Sequence, residues 1–152
     1  MFWGSISRKY GRHKGLFWEK DWETINEGSY SRIIIPIVDD ILRQYPELQF
    51  QQDNAKGHAS TFTKSVIAAV GLRVIEWPPC SPDLSLIETI RDNIKDYIQE
   101  DYIQEHYPKV HSSYKRLRAA VQEAWESIRH KRIRELVRSM KDRCQAVIDA
   151  EG

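Results

Sequence analysis

The stretch QQDNAKGH, residues 51–58, decides the fold that we predict, together with WPPCSPDLSLIE at residues 77–88. Apolar and polar residues alternate from Leu48 onward, which predicts a β-strand ending at Asp53. The second stretch holds three prolines, which favour an extended turn, and then Glu88 at the start of a predicted helix. Two carboxylates at fixed places on a rigid α/β scaffold can bind Mg²⁺ and activate phosphodiester chemistry.

The rest of the chain is predicted from hydrophobic periodicity and from turn residues. Two short aromatic segments, residues 2–6 and 15–18, predict a β-hairpin with a basic tip at Arg8–Lys14. A further strand is predicted at Leu72–Trp77. Helices are predicted at Ser29–Tyr45 with Pro36 in an awkward interior place, at Thr61–Val70 with Gly71 as its stop, from about Ser85, at Tyr114–Ile128 and at Ile133–Ile148. This alternation of strands and helices predicts an α/β fold.

Composition sets limits on the class of protein. At 152 residues the chain is predicted to be one domain, and its apolar runs are too short to span a bilayer. Cys80 and Cys144 form no metal-type pair, so we expect two reduced, buried or half-buried thiols. Residues 106–152 hold 11 Lys or Arg and 6 Asp or Glu. That surplus favours either phosphate contact or a solvated helical face. The segment DYIQE occurs twice in succession, at 96–100 and 101–105, as in a small tandem duplication.

The residues around both acids resemble the catalytic domain of mariner-type cut-and-paste DNA transposases, which belong to the DDE superfamily. The resemblance runs from Met1 to Met140, with both motifs in the right order and at the right distance. It implies an RNase H-like mixed sheet flanked by helices and truncated at the N-terminus. We expect a single domain over residues 1–152, with the sheet and catalytic helix in 1–105 and helices in 106–152. The family's first catalytic Asp lies before its Trp-Gly strand, so we expect this chain to lack that strand and that ligand.

The resemblance implies that Asp53 and Glu88 are catalytic residues and metal ligands. The intact family uses two Mg²⁺ or Mn²⁺ ions, and we expect metal binding to be weakened or lost here. Each acid has an alternative role. An Asp-Asn pair after a strand is common in turns. The sequence Ser85-Leu86-Ile87-Glu88 fits a capping box, and Arg91 could pair with Glu88 and compete with a metal.

Other residues are candidates for supporting roles. Asn54 and His58 match the family's motif, and His58 could contact phosphate or a metal-bound water, or be a structural loop histidine. Asp83 is expected to start a helix rather than to bind metal. Residues that could bind DNA, or that could simply be solvated, are Lys56, Arg129, Lys131, Arg132 and Arg134.

Three hypotheses on function follow from the resemblance. The first is a fragment of a DDE transposase, an endonuclease that cleaves DNA strands and transfers them with divalent metal, inactive by itself. The second is a working nuclease in which Asp21 or Asp39 replaces the lost acid. The third is a non-catalytic DNA- or protein-binding remnant. The expected partners are DNA at transposon ends and targets, with no membrane, and a homodimer is left open. The expected location is intracellular, in the nucleus if the source is a eukaryote.

Overall fold

The computed structural model describes residues 1–22, 24–79, 81–99 and 113–150. The chain divides into two compact units, one made of Met1–Phe17 with Asp83–Gly152 and the other of Trp18–Pro82. A compact unit need not be an independent domain, so the single-domain assignment stays a prediction. No helix of the described ranges is long and apolar enough to cross a membrane.

The first unit begins with the predicted hairpin. Strand β1 (Phe2–Ser7) pairs antiparallel with β2 (Gly11–Phe17), with Phe2 opposite Phe17 and an irregularity between Gly4 and Ile6. Gly11 starts β2 directly after the turn. Its φ is 80°, a backbone conformation that residues other than glycine rarely adopt. The prediction of a hairpin is confirmed, but the strands extend closer to the turn than expected. Part of the predicted basic tip therefore lies within β2.

The described residues of the first unit also form four helices: α4 (Leu86–Gln99), α5 (Tyr114–Ser127), α6 (His130–Arg138) and α7 (Met140–Asp149). The prediction of one helix over 133–148 is wrong, because two helices meet at Ser139. The Ser139 hydroxyl donates to the carbonyl of Leu136 at 2.8 Å, so the serine competes for an acceptor of the helix ladder. Cys144 is exposed, contrary to expectation. Cys80 and the second DYIQE copy lie outside the described residues.

The core of the first unit forms where three helices meet the hairpin. Ile90 and Ile133 are fully buried, and Trp125 is 3% exposed. The remaining members of the core are Ile94, Ile98, Ala120, Ala124, Ile128 and Leu136. A Cβ at Gly4 would lie 2.7 Å from Cη2 of Trp125. The glycine therefore lets the indole ring approach the strand closely.

The second unit contains α1 (Glu27–Gln44), α2 (Lys56–Ala59) and α3 (Thr61–Val70). Helix α1 begins two residues earlier than predicted, because Asn26 and Ser29 form a reciprocal capping box. Helix α3 has the predicted bounds, and Gly71 ends it with a φ of 72°. Pro36 lies inside α1.

The predicted strands over 48–53 and 72–77 are wrong as extended strands. Their only pairing within the described ranges is one parallel bridge between Phe50 and Val74, in which Phe50 N–H donates to Arg73 and Ile75 N–H donates to Phe50. An isolated pair of strands is marginal in water unless further strands or a packed helix support it. The described residues therefore form a largely helical fold with a small sheet, and the α/β prediction holds in this reduced form.

Candidate active site

Asp53 lies in an exposed loop three residues after Phe50 of the Phe50–Val74 bridge, and not at the end of a strand as predicted. Its side chain is 48% exposed. Oδ1 accepts a hydrogen bond from the Ala55 backbone N–H at 3.1 Å and from Nδ1 of His58 at 2.5 Å. The first contact is the turn-forming arrangement considered as an alternative, so the turn and an available carboxylate coexist. Asn54 Nδ2 donates to the Trp77 carbonyl at 2.7 Å and ties the loop to the neighbouring segment.

His58 is fixed by Gln52 of the same motif and by Tyr30, which the sequence analysis did not single out. The ring of Tyr30, a residue only 2% exposed, lies 4.1 Å from the imidazole, centroid to centroid. The Tyr30 hydroxyl donates to Oε1 of Gln52 at 2.7 Å, and Gln52 Nε2 donates to the His58 carbonyl at 3.3 Å. Burial, with a smaller contribution from the negative charge of Asp53, raises the pKa of the Tyr30 hydroxyl. Tyr30 thus stays a neutral donor, and the imidazole is held in one orientation toward Asp53.

A buried threonine anchors the same loop from below. Thr63 is 0% exposed, and its hydroxyl donates to the Gly57 carbonyl at 2.6 Å. Ser31 of α1 donates to that hydroxyl at 3.3 Å, and Ser60 caps α3 by accepting from the Thr63 N–H at 3.0 Å. The Thr63 side chain therefore links α1, α2 and α3 at the residue before His58.

Glu88 lies in the first turn of α4, in the other unit. Its Oε1 accepts from Nη1 of Arg91 at 2.5 Å, with 38% of the Glu88 side chain and 48% of the Arg91 side chain exposed. The predicted pairing with Arg91 is confirmed. The carboxylate is charge-compensated in this state, and a metal ion would have to compete with the guanidinium.

The start of α4 is held by a residue from the end of the chain. Arg143 of α7 donates to the Asp83 carbonyl at 2.7 Å and to Oγ1 of Thr89 at 3.1 Å. Asp83 itself lies in a short 3₁₀ turn directly before α4, in agreement with the predicted helix-start role. No local pattern in the sequence indicates this contact, because 60 residues separate Arg143 from Asp83.

The structure brings some predicted site residues together and not others. Asp53 and His58 are in contact, and within the described ranges no group of three His, Cys, Asp or Glu lies close enough to hold a metal ion. Asp39, one suggested replacement acid, pairs with Arg43 at 2.8 Å instead. Lys56 lies in α2, and its side chain is outside the described part of the structure. The predicted DNA contacts of the Arg129–Arg134 run stay predictions; their basic side chains are exposed at the start of α6.

Comparison with known proteins identifies the family. No protein-family model matches the chain. The transposable element Tc3 transposase of Caenorhabditis elegans is 31% identical over 154 aligned residues, covering the whole chain and 44% of that protein. The Tc1 transposase of the same organism is 32% identical over 103 residues, 68% of this chain and 35% of that protein. The chain belongs to the mariner-type transposases. It spans less than half the length of these relatives.

Solved structures show that this transposase chain has a known fold. The Mos1 transposase paired-end complex with left transposon end matches 99% of the chain and 43% of that structure's chain, with a TM-score of 0.69 and 16% identity. A structure of the Mos1 transposase catalytic domain and raltegravir with Mg matches 93% of the chain and 67% of its own, with a TM-score of 0.64 and 16% identity. The fold of the described residues is thus similar to that of the Mos1 transposase catalytic domain. The predicted family is confirmed by the likeness to the Tc3 and Tc1 transposases.

Proposed function

We propose that this chain supplies part of a metal-dependent centre for DNA strand cleavage and strand transfer, with Asp53 and Glu88 as two of the metal ligands. The observation that carries the proposal is the Asp53 carboxylate, which is exposed yet fixed in place by His58 and the Ala55 N–H. The likeness to transposases over the whole chain supports the type of chemistry. We further propose that the fold is RNase H-like. In such a fold the segment around Phe50 would pair with a strand beyond its bridge to Val74.

The donor atoms fit Mg²⁺ or Mn²⁺. Both acids are partly exposed carboxylates, and hard divalent cations prefer carboxylate oxygens together with water. The two contacts described for Asp53 both use Oδ1, which keeps the plane of the carboxylate fixed. When bound, the metal would activate the attacking water or DNA 3′-hydroxyl and stabilise the leaving oxygen.

The protein residues around the acids have distinct roles in this proposal. His58 orients the Asp53 carboxylate, and Tyr30 with Gln52 orients His58. Such indirect partners typically change metal affinity by about 10–100-fold when they are removed. The proposal predicts that the 152-residue chain by itself does not cleave DNA, because it provides two of the three carboxylates of the family site. On this proposal the protein acts where the DNA of its host lies, which is the nucleus if the source is a eukaryote.

The ion pair at Glu88 makes a separate prediction. Arg91 occupies Oε1 of Glu88, so replacing Arg91 by glutamine should tighten Mn²⁺ binding. The matched variant Lys95→Gln removes a cation of the same helix that pairs with Asp92 instead, and it should leave the affinity close to that of the wild type. Weaker Mn²⁺ binding in Arg91→Gln would mean that the guanidinium positions Glu88 rather than competing with the metal.

The proposal is tested by thermal unfolding, followed by circular dichroism, with and without Mn²⁺. A bound ion present at 100 times its dissociation constant stabilises a fold by about 2.7 kcal/mol. We expect the shift in the wild type, in Asp40→Asn and in Glu135→Gln, which remove exposed acids elsewhere. We expect it to be lost in Asp53→Asn and reduced in Glu88→Gln. An equal shift in all five proteins would rule out Asp53 and Glu88 as ligands.

A nicking assay on supercoiled plasmid in Mn²⁺ separates the remaining hypotheses. No nicking by the 152-residue chain is the expected result. Nicking that Asp53→Asn abolishes would instead establish a working nuclease with a replacement acid. The non-catalytic alternative, a DNA-binding remnant, is favoured by the Arg91 contact, which leaves Glu88 charge-compensated without metal. Two results would support this alternative. DNA binding would survive Asp53→Asn and Glu88→Gln, and Mn²⁺ would not raise the Tm of the wild type.

A further inference from the structure

Two basic segments that lie far apart in the sequence meet in the first unit. His130, at the start of α6, donates from Nε2 to the Arg8 carbonyl in the hairpin turn at 2.9 Å. Gly11 lies against the same imidazole, since a Cβ placed there would be 3.2 Å from the ring. Arg12 donates from Nη1 to the Trp125 carbonyl at 2.9 Å and ties β2 to the end of α5. The hairpin turn is therefore fixed against the beginning of α6.

This junction concentrates positive charge. Residues 8–14 and residues 129–134 each hold four Lys or Arg and no acid. We call the exposed cations of both segments the basic ridge: Arg8, Lys9, Lys14, Arg129, Lys131, Arg132 and Arg134. A groove of about 430 Å³ beside the hairpin is lined by residues 10–15, by Gln122, Trp125 and Glu126 of α5, and by His130. One carboxylate, Glu126, lines this groove, and it accepts from Gln122 at 2.6 Å.

The ridge brings cations to a helix end that already has the same sign. The first turn of α6 contains no acidic residue, and its N-cap residue, Arg129, makes no side-chain capping bond. Cations at a helix N-terminus are unfavourable, because they face the positive end of the helix dipole. The hairpin adds further cations to this position instead of compensating carboxylates. An anionic partner that spans both segments would relieve the repulsion.

We propose that the basic ridge binds the sugar–phosphate backbone of duplex DNA. This inference rests on the proposed function for the choice of DNA as the polyanion, and it adds the hairpin turn to the interface. Contacts to phosphates position a protein without reading bases. Binding by the ridge is therefore independent of DNA sequence, steeply dependent on salt and independent of metal, because the ridge contains neither Asp53 nor Glu88.

The test is fluorescence anisotropy of a labelled random-sequence duplex with the full 152-residue chain in EDTA, between 50 and 200 mM salt. The hairpin variant carries Arg8→Gln, Lys9→Gln and Lys14→Gln, and the helix variant carries Lys131→Gln, Arg132→Gln and Arg134→Gln. Removing one cation that binds a phosphate lowers the slope of log affinity against log salt by about 1. We expect a fall of about 2–3 in each variant. The control removes three exposed cations of the same unit outside the ridge, Lys95→Gln, Lys115→Gln and Lys141→Gln, and it should keep the wild-type slope.

A hairpin variant with the affinity and slope of the control would overturn the proposal, whatever the helix variant does. If a triple variant fails to unfold cooperatively, Lys9→Gln and Lys131→Gln replace it, each with an expected change in slope of about 1. Asp53→Asn separates the two proposals, because it should lose the Mn²⁺-dependent stabilisation and keep the DNA binding of the wild type in EDTA. Full DNA binding in EDTA with no Mn²⁺-dependent stabilisation of the wild type would remove the metal site alone. A preserved Mn²⁺ response with unchanged DNA binding in both ridge variants would remove the ridge alone.

Discussion

Replacing Thr63 by valine should loosen the loop that carries Asp53 and His58. The shape of the side chain is nearly kept, but its fully buried hydroxyl is removed. The Gly57 carbonyl then loses its donor, and the buried Ser31 hydroxyl loses its acceptor. A buried polar group left without its partner costs about 1–3 kcal/mol. For a chain of this size each kcal/mol lowers the Tm by about 2–4 °C, so we expect a decrease of about 2–12 °C.

The assay is thermal unfolding by circular dichroism, and the matched control is Thr61→Val. Thr61 is an exposed threonine in the first turn of the same helix, and exposed substitutions usually change stability by less than about 0.5 kcal/mol. Because Gly57 directly precedes His58, Thr63→Val should also reduce the Mn²⁺-dependent increase in Tm. A Thr63→Val protein that unfolds at the temperature of Thr61→Val would refute the idea that this hydroxyl holds the loop.

Two further predictions concern single residues. Gly4→Ala should shift the Trp125 indole, because the new Cβ would come within 2.7 Å of Cη2 of that ring. Overpacking of this kind costs about 1–3 kcal/mol of stability. Near-ultraviolet circular dichroism should record the shift of the indole. Gly71→Ala, where φ is positive but no atom lies within 4 Å, should lower stability without that spectral change. Burial raises the pKa of Tyr30 above its ordinary value of 10.0, so the folded state keeps a proton that the unfolded state loses at higher pH. The free energy of unfolding should therefore fall as pH rises through 10, by up to about 1.4 kcal/mol per pH unit for this group, and Tyr30→Phe should lack that component.

Local signals in the sequence predicted α1, α3, α4 and α5, but they merged α6 with α7 and did not indicate α2. Gly71 marks the end of α3, and the apolar spacing in α4 predicts the buried face that includes Ile90 and Ile94. The hairpin was predicted because its two strands are joined by a short local turn. By contrast, the Phe50–Val74 pairing reduces to one bridge, since strand length depends on neighbours that no local pattern can show.

The candidate site was predicted only as far as its acids. Asp53 and His58 lie in one motif, and their contact follows from their closeness in the chain. Tyr30 and Arg143 were missed, because each reaches the site from a helix that is distant in sequence. Such partners become visible only when the helices are packed, as neither residue type at its own position is unusual for an amphipathic helix.

The two acids differ in how they are prepared for a metal ion. Asp53 is oriented by a histidine that is itself packed on the buried Tyr30, so its geometry does not depend on a ligand. Glu88 instead lies in an exposed ion pair, and exposed pairs of this kind contribute at most about 1 kcal/mol. Displacing Arg91 therefore costs little compared with the free energy of binding an ion, whereas reorienting Asp53 would disturb a packed network. Replacing His58 or Tyr30 should therefore lower the Mn²⁺ affinity by a larger factor than the factor by which Arg91→Gln raises it.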